Sequence, residues 1–195
     1  VHSKKTIYGV NTGFGALSGV RISKAKLSTI QRNLLLSHNT GVGVSVPHHI
    51  VKAGMLLRLN TLIQGYSGVS FKTVKSILKL INHDVIPVVP SKGSVGASGD
   101  LAPLAAMALP LIGEGEVFYK NHLTSATKAL KAIGLKPLKL GPKEGLALIN
   151  GTQMMTAYGI VILLEALGLI DLFDLAGAMS LEALRGTDRA FDRRI

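Results

Sequence analysis

The 195-residue chain contains no cysteine and no tryptophan. Without thiols there is no disulfide framework, no thiolate zinc site and no cysteine nucleophile. A reducing compartment suits such a chain, and a cytoplasmic location is expected. Charge is scarce as well: Asp, Glu, Lys and Arg make up 17% of residues, against roughly 25% in ordinary soluble domains. The rarer sign is negative, with 11 acidic residues facing 22 Lys and Arg, for a formal net charge of +11. The cations fall in small scattered groups (Lys24/Lys26, Lys128/Lys131, Lys136/Lys139/Lys143, Arg189/Arg193/Arg194) and form no basic stripe with interleaved aromatic residues. No nucleic-acid partner is expected from that pattern. There is no clean transmembrane run either. The most apolar stretch, Ile160 to Leu184, is broken by Glu165, Asp171, Asp174 and Glu182. Such a stretch reads as a buried helix of a soluble protein, and no membrane partner is expected. Metal-ligand spacing is missing: His48-His49 and His83-Asp84 read as surface or capping residues. Nor does Val1-His2-Ser3-Lys4-Lys5 resemble a signal peptide.

What is present is a chain able to build a core, with 47% hydrophobic residues. Its length suits one domain or part of a larger one. Both ends read as cut from a longer chain, since there is no initiator Met and Phe191–Ile195 closes no element. Low charge with high apolar content points to surface hidden in an oligomer. The reading along the chain is mainly α with little strand. A Gly-rich loop covers 8–20, and a helix runs over Leu27–His38. Apolar residues from Val51 to Ile63 recur at helical spacing within His49–Gly65. Ser70 caps a helix over Phe71–Asn82. Pro87 and Pro90 are expected to end regular structure. A second Gly-rich loop, Gly93–Gly99, leads into a helix over Leu101–Leu111 with Asp100 as its cap. A short hairpin is expected near Val117–Leu123, a short helix over Ser125–Ile133, and turns over Glu144–Gly151. A long apolar helix or helix pair, interrupted near Gly168, spans about Gln153–Leu184.

The second loop matches no phosphate cradle. Gly93-Ser94-Val95-Gly96-Ala97-Ser98-Gly99 lacks the Lys-Ser/Thr ending of a Walker A loop and the Gly-x-Ser-x-Gly of a nucleophile elbow. Its last three residues carry a different possibility. If the backbone bends tightly, the Gly99 nitrogen can attack the Ala97 carbonyl carbon. Loss of two waters, one of them from the Ser98 side chain, then gives a 4-methylidene-imidazol-5-one ring. That ring is an electrophile made without an external cofactor. The reaction needs small residues flanking the serine and a fold that absorbs the strain. At the start of a helix it would also sit at the positive end of the dipole. Otherwise the loop merely caps a helix.

The surrounding run, Gly93-Ser94-Val95-Gly96-Ala97-Ser98-Gly99-Asp100-Leu101-Ala102-Pro103-Leu104, strongly resembles the signature of the aromatic amino-acid ammonia-lyases. Three further blocks resemble the same family in the expected order. They are Tyr8-Gly9-Val10-Asn11-Thr12-Gly13-Phe14-Gly15, Asn33-Leu34-Leu35-Leu36-Ser37-His38 and Lys143-Glu144-Gly145-Leu146-Ala147-Leu148-Ile149-Asn150-Gly151-Thr152. The resemblance covers nearly the whole chain. His38 falls where the branch acting on histidine carries a histidine beside the substrate imidazole.

The resemblance implies elimination of ammonia from a small amino-acid substrate, L-histidine, to give urocanate. It implies the ring from Ala97, Ser98 and Gly99 as the electrophile and Tyr8 as the base that takes the β-proton. Asn150 would stabilise charge near the ring, Asp100 would help set the bend, and His38 would bind the substrate side chain. No metal is implied. A homotetramer with shared active sites is implied, because family sites draw residues from several subunits. Residues 1–150 would form the N-terminal domain carrying the electrophile loop, and 151–195 would begin a truncated bundle of long central helices. Family members are more than twice this length, so the chain would lack a complete site. Each residue has a plainer alternative: Tyr8 a packed loop aromatic, Asn150 a turn residue, Asp100 only a cap, His38 a polar helix end. Two other functions remain open. One is a phenylalanine or tyrosine lyase or aminomutase. The other is an incomplete fragment serving only assembly.

Overall fold

The computed structural model describes residues 5–96 and 98–195. The chain divides into two compact units, Val1–Ala157 and Tyr158–Ile195. The first is built from helices α1 (Leu27–His38), α2 (His48–Ile63), α3 (Phe71–Asn82), α4 (Leu101–Ala108), α5 (Ala126–Ala132) and α6 (Glu144–Ile149), with the first residues of α7 (Gln153–Ala183). Five short strands accompany them: β1 (Val42–Ser45), β2 (Ile86–Pro87), β3 (Pro90–Lys92), β4 (Glu116–Tyr119) and β5 (His122–Ser125). β1 pairs antiparallel with β3, and β2, β4 and β5 form a second antiparallel sheet in that order. The fold is mainly α with little strand.

Helix α1 shows why the core forms where it does. Leu27, Gln31, Leu34 and Leu35 recur every three or four residues and are all buried. Against this stripe pack α4, whose Leu104, Ala105, Ala106 and Met107 are buried, and α6, through Ala147, Leu148 and Ile149. Small residues let α4 lie deep. Ser70 accepts a hydrogen bond from the Thr73 N–H and starts α3 at the expected residue.

Four expectations of secondary structure change. Pro87 and Pro90 do not end regular structure; they lie within β2 and β3, both at sheet edges, where a missing N–H is tolerated. The helix after Asp100 stops at Ala108 and tightens into a 3-10 turn, Leu109–Ile112, ended by Gly113 at φ +81. Pro110, which lacks the donor for a further α turn, accounts for the change. The segment Glu144–Gly151 is not turn-rich: Glu144–Ile149 is helical. In the second unit α7 runs unbroken past Gly168. Among the described residues, no helix is long and apolar enough to cross a membrane.

Candidate active site

Two loops and two helix ends converge around Gly99. Its φ is +119, a backbone region suited to glycine, and the space a side chain would need is filled. A β-carbon there would lie 2.7 Å from the Gly151 carbonyl oxygen and 2.8 Å from the Gly151 nitrogen. The same carbonyl accepts the Asp100 N–H at 2.7 Å. Residues 99 and 151 thus meet backbone to backbone, with α4 leaving from one and α7 from the other.

Asp100 is buried, and it does not cap α4 with its side chain as expected. One carboxylate oxygen accepts the Met155 N–H at 2.8 Å, and the other accepts the Ser94 hydroxyl at 3.3 Å. The carboxylate therefore stabilises the first turn of α7 and closes the 94–100 loop on itself. The positive end of a helix favours a negative group in that position.

Ser98 is exposed and lines an open cleft of about 230 Å³. Ser37, His38, Thr40, Val95 and Gly99 share that cleft. His38 reaches it because the chain after α1 is pressed onto the start of the loop: a β-carbon on Gly93 would meet the Gly41 α-carbon at 2.9 Å. His38 Nδ1 lies 2.9 Å from the Leu34 carbonyl oxygen. Ser37 Oγ lies 3.1 Å from the same nitrogen. In the tautomer whose Nδ1–H donates to the Leu34 carbonyl, Nε2 is the ring's acceptor. Both the helix-end reading and a place beside Ser98 hold for this residue.

Tyr8 and Asn150 line a separate cleft of about 410 Å³ with Arg58, Thr61, Tyr66 and Lys143. Tyr8 is half exposed, edge-on to Phe14 with ring centroids 6.3 Å apart, and its hydroxyl accepts the Gly15 N–H at 3.4 Å. Its loop is pinned from below. Asn11 accepts the Ile7 N–H, Thr12 accepts the Gly9 N–H, and Gln31 donates to the Gly9 carbonyl. Within one chain, Tyr8 does not line the cleft that Ser98 lines. The two clefts are linked through Asn150–Gly151, whose glycine backs Gly99. Ala97 lies outside the described residues.

Three residues that sequence reasoning passed over organise this region. Gln31 is 1% exposed and accepts the Gly145 and Leu146 N–H groups while holding the Tyr8 loop. Arg58 is 3% exposed and donates to the carbonyls of Ala147 and Asn150 and to Gln153 Oε1. Burial pushes its guanidinium down to about 10, still charged near neutrality. Glu144 accepts from the Ser70 N–H, the Thr73 hydroxyl and the Gly141 N–H. The available signal was a polar residue on a buried stripe: Gln31 lies between Leu27 and Leu34, and Arg58 between Met55 and Leu62.

Residues 1–195 match the model of a family described as aromatic amino acid lyase, and the chain belongs to that family. Particular relatives agree. A histidine ammonia-lyase of Stigmatella aurantiaca is 55% identical over 94% of this chain and 36% of its own length. The crystal structure of histidine ammonia-lyase from Trypanosoma cruzi superposes with a TM-score of 0.86 at 40% identity, over 94% of this chain and 36% of that one. A phenylalanine aminomutase of Pantoea agglomerans superposes with a TM-score of 0.92 at 36% identity, over 97% of this chain and 36% of that one. The chain spans little more than a third of these relatives.

Proposed function

We propose that this chain is the electrophile-bearing portion of an ammonia-lyase that converts L-histidine to urocanate and ammonia. The observation that carries the substrate is the shared cleft of Ser98 and His38. In the tautomer whose Nδ1–H donates to the Leu34 carbonyl, His38 offers Nε2 as an acceptor for an imidazole N–H of the substrate. A phenyl ring has no such donor. The 55% identical relative supports the same choice.

The backbone at Gly99 suits a ring made from Ala97, Ser98 and Gly99. Gly99 is in a glycine-only conformation, its back is blocked by Gly151, and Ser98 faces open space. When formed, a methylidene-imidazolone would supply the electrophile that makes the amine a better leaving group. The protein's own residues do the rest. Asp100 and Gly151 hold the bend. Asn150, exposed at the end of α6, donates a side-chain amide to developing negative charge. Tyr8 takes the β-proton, its hydroxyl oriented by the Gly15 N–H. Because Tyr8 and Ser98 line different clefts of one chain, the complete site requires closure of the Tyr8 loop or a contribution from a neighbouring subunit of a homotetramer.

The test is intact mass with product analysis on the protein. A mass two waters below the sequence mass, mapped to the peptide holding Ala97-Ser98-Gly99, and urocanate formed from histidine are expected. An unmodified mass overturns the electrophile. A modified mass with cinnamate, hydroxycinnamate from tyrosine, or a β-amino acid as product moves the assignment to the phenylalanine or tyrosine lyases or to the aminomutases.

A further inference from the structure

We propose that Arg58 is a positioning residue for ring formation: by gripping the Asn150–Gly151–Thr152 turn, it makes the surface against which Gly99 is bent. The inference rests on the reading of residues 97–99 given above.

Ring formation is a self-processing step of the chain. The Gly99 nitrogen bonds to the Ala97 carbonyl carbon. The displaced oxygen leaves as water with the amide hydrogens of Ser98 and Gly99. A second water takes the Ser98 hydroxyl and α-hydrogen, and no oxidant or co-reactant is consumed. The difficulty is geometric, because an amide nitrogen must be driven onto a carbonyl two residues back. That demands a rigid backing surface.

Gly151 is that surface, and little in its own sequence makes it rigid. It follows Asn150 in a segment whose residue types favour turns. Rigidity comes from Arg58 on α2. Its guanidinium hydrogen-bonds to one short segment: the Ala147 carbonyl, the Asn150 carbonyl at 3.1 Å, and Gln153 Oε1 at 2.8 Å. The grip straddles Gly151 so closely that a β-carbon there would fall 2.4 Å from Arg58 Nη1 and 2.2 Å from Gln153 Oε1. Gly151 then presents its carbonyl to the Asp100 N–H at 2.7 Å, on the far side of the bend.

The cost of this arrangement argues for a purpose. Burying a cation is unfavourable unless its charge is compensated. Among the described residues no carboxylate forms an ion pair with Arg58. Its Nε atom is buried with no partner. Beside the cleft of Tyr8 and Asn150, Arg58 lines an apolar pocket with Met55, Ile77, Leu80, Met107 and Leu148. Met or Leu would fill such a place more favourably if packing alone were at stake. What only the planar guanidinium offers is a fork reaching two carbonyls and an amide oxygen at once.

The test reads the ring itself, apart from catalysis. Arg58→Met and Arg58→Lys are made in the protein, and thermal unfolding, intact mass and the mass of the 97–99 peptide are followed after synthesis. The expected result is a cooperatively folded Arg58→Met protein in which the two-water loss is at least tenfold slower, with partial recovery in Arg58→Lys. Complete two-water loss at the parent rate in Arg58→Met overturns the proposal. If Arg58→Met does not fold, Gln153→Leu decides. That variant removes the Nη1 contact together with an exposed hydrogen bond from the Gln153 amide to the Thr61 hydroxyl and leaves both Arg58–carbonyl bonds; slowed ring formation with a parent-like melt supports the proposal, whereas a parent-like rate overturns it. A parent protein that never loses the two waters overturns the lyase reading itself, a result distinct from either variant outcome.

Discussion

At the scale of single residues, the site divides by how far its parts lie apart in the chain. Ser98 and Gly99 are legible in the sequence because the chemistry they suit is local. His38 is legible only as a residue type; its meaning comes from the Gly41–Gly93 contact that brings α1 beside the loop. A consequence can be measured. His38→Leu removes the Nε2 acceptor and leaves the ring-forming residues alone. Histidine turnover is then expected to fall by roughly 10–100-fold in kcat/KM, the size of one lost hydrogen bond to a substrate group. The mass of the 97–99 peptide should be unchanged. A variant with full kcat/KM would remove His38 from the substrate site. Asp100 was legible as a residue at a helix start but not as the partner of Met155, which lies 55 positions away. Nothing local announces such a bond.

Secondary-structure elements show the same division. α1 and α3 follow from periodicity and a serine cap. α6 does not, because Gly145, Asn150 and Gly151 read as breakers. Long-range side chains override that reading: Gln31 satisfies the first N–H groups and Arg58 the last carbonyls, the groups a short helix leaves without partners. Gly145 is needed there, since a β-carbon would lie 2.6 Å from the Gln31 carbonyl oxygen. Glu144 adds a pH dependence. Burial pushes its carboxyl up, but hydrogen bonds from Gly141, Ser70 and Thr73 outweigh that and hold it below the ordinary value of 4.5. The folded state therefore binds this proton more weakly than the unfolded chain does. The stabilisation is fully present above about pH 4.5 and is lost as pH falls through the lower folded value. Glu144→Gln should be less stable by about 1–3 kcal/mol near neutrality, with a flatter loss of stability in acid. Thermal melts of both proteins between neutral and acidic pH check this; parallel curves would show that Glu144 does not contribute to the acid limb.

For the whole molecule, the second unit is the part most at odds with a solitary chain. Its stretch from Ile160 to Leu184 was expected to be buried. Instead Ile162, Leu163, Leu164, Ile170, Leu172, Phe173 and Leu175 are all exposed, around the full circumference of α7. A helix that is apolar all round is a helix meant for an interior. The sequence showed that much, but not what would cover it. Further helices of the central bundle and the subunits of the homotetramer proposed above would do so together, and Phe173, 75% exposed, is a direct probe of the second. Phe173→Glu is expected to shift the protein to smaller species in light scattering after size exclusion, because burying an unpaired charge is costly. An unchanged mass would take α7 out of the assembly interface. The meeting of Gly99 with Gly151 has a temporal side too. During synthesis the first of these glycines leaves the ribosome well before the second, and until both are out no backing exists for the bend. On the reading proposed above, the nascent chain would carry an ordinary serine past the thiols and amines of its surroundings, and would become reactive only once residues 99 and 151 had met.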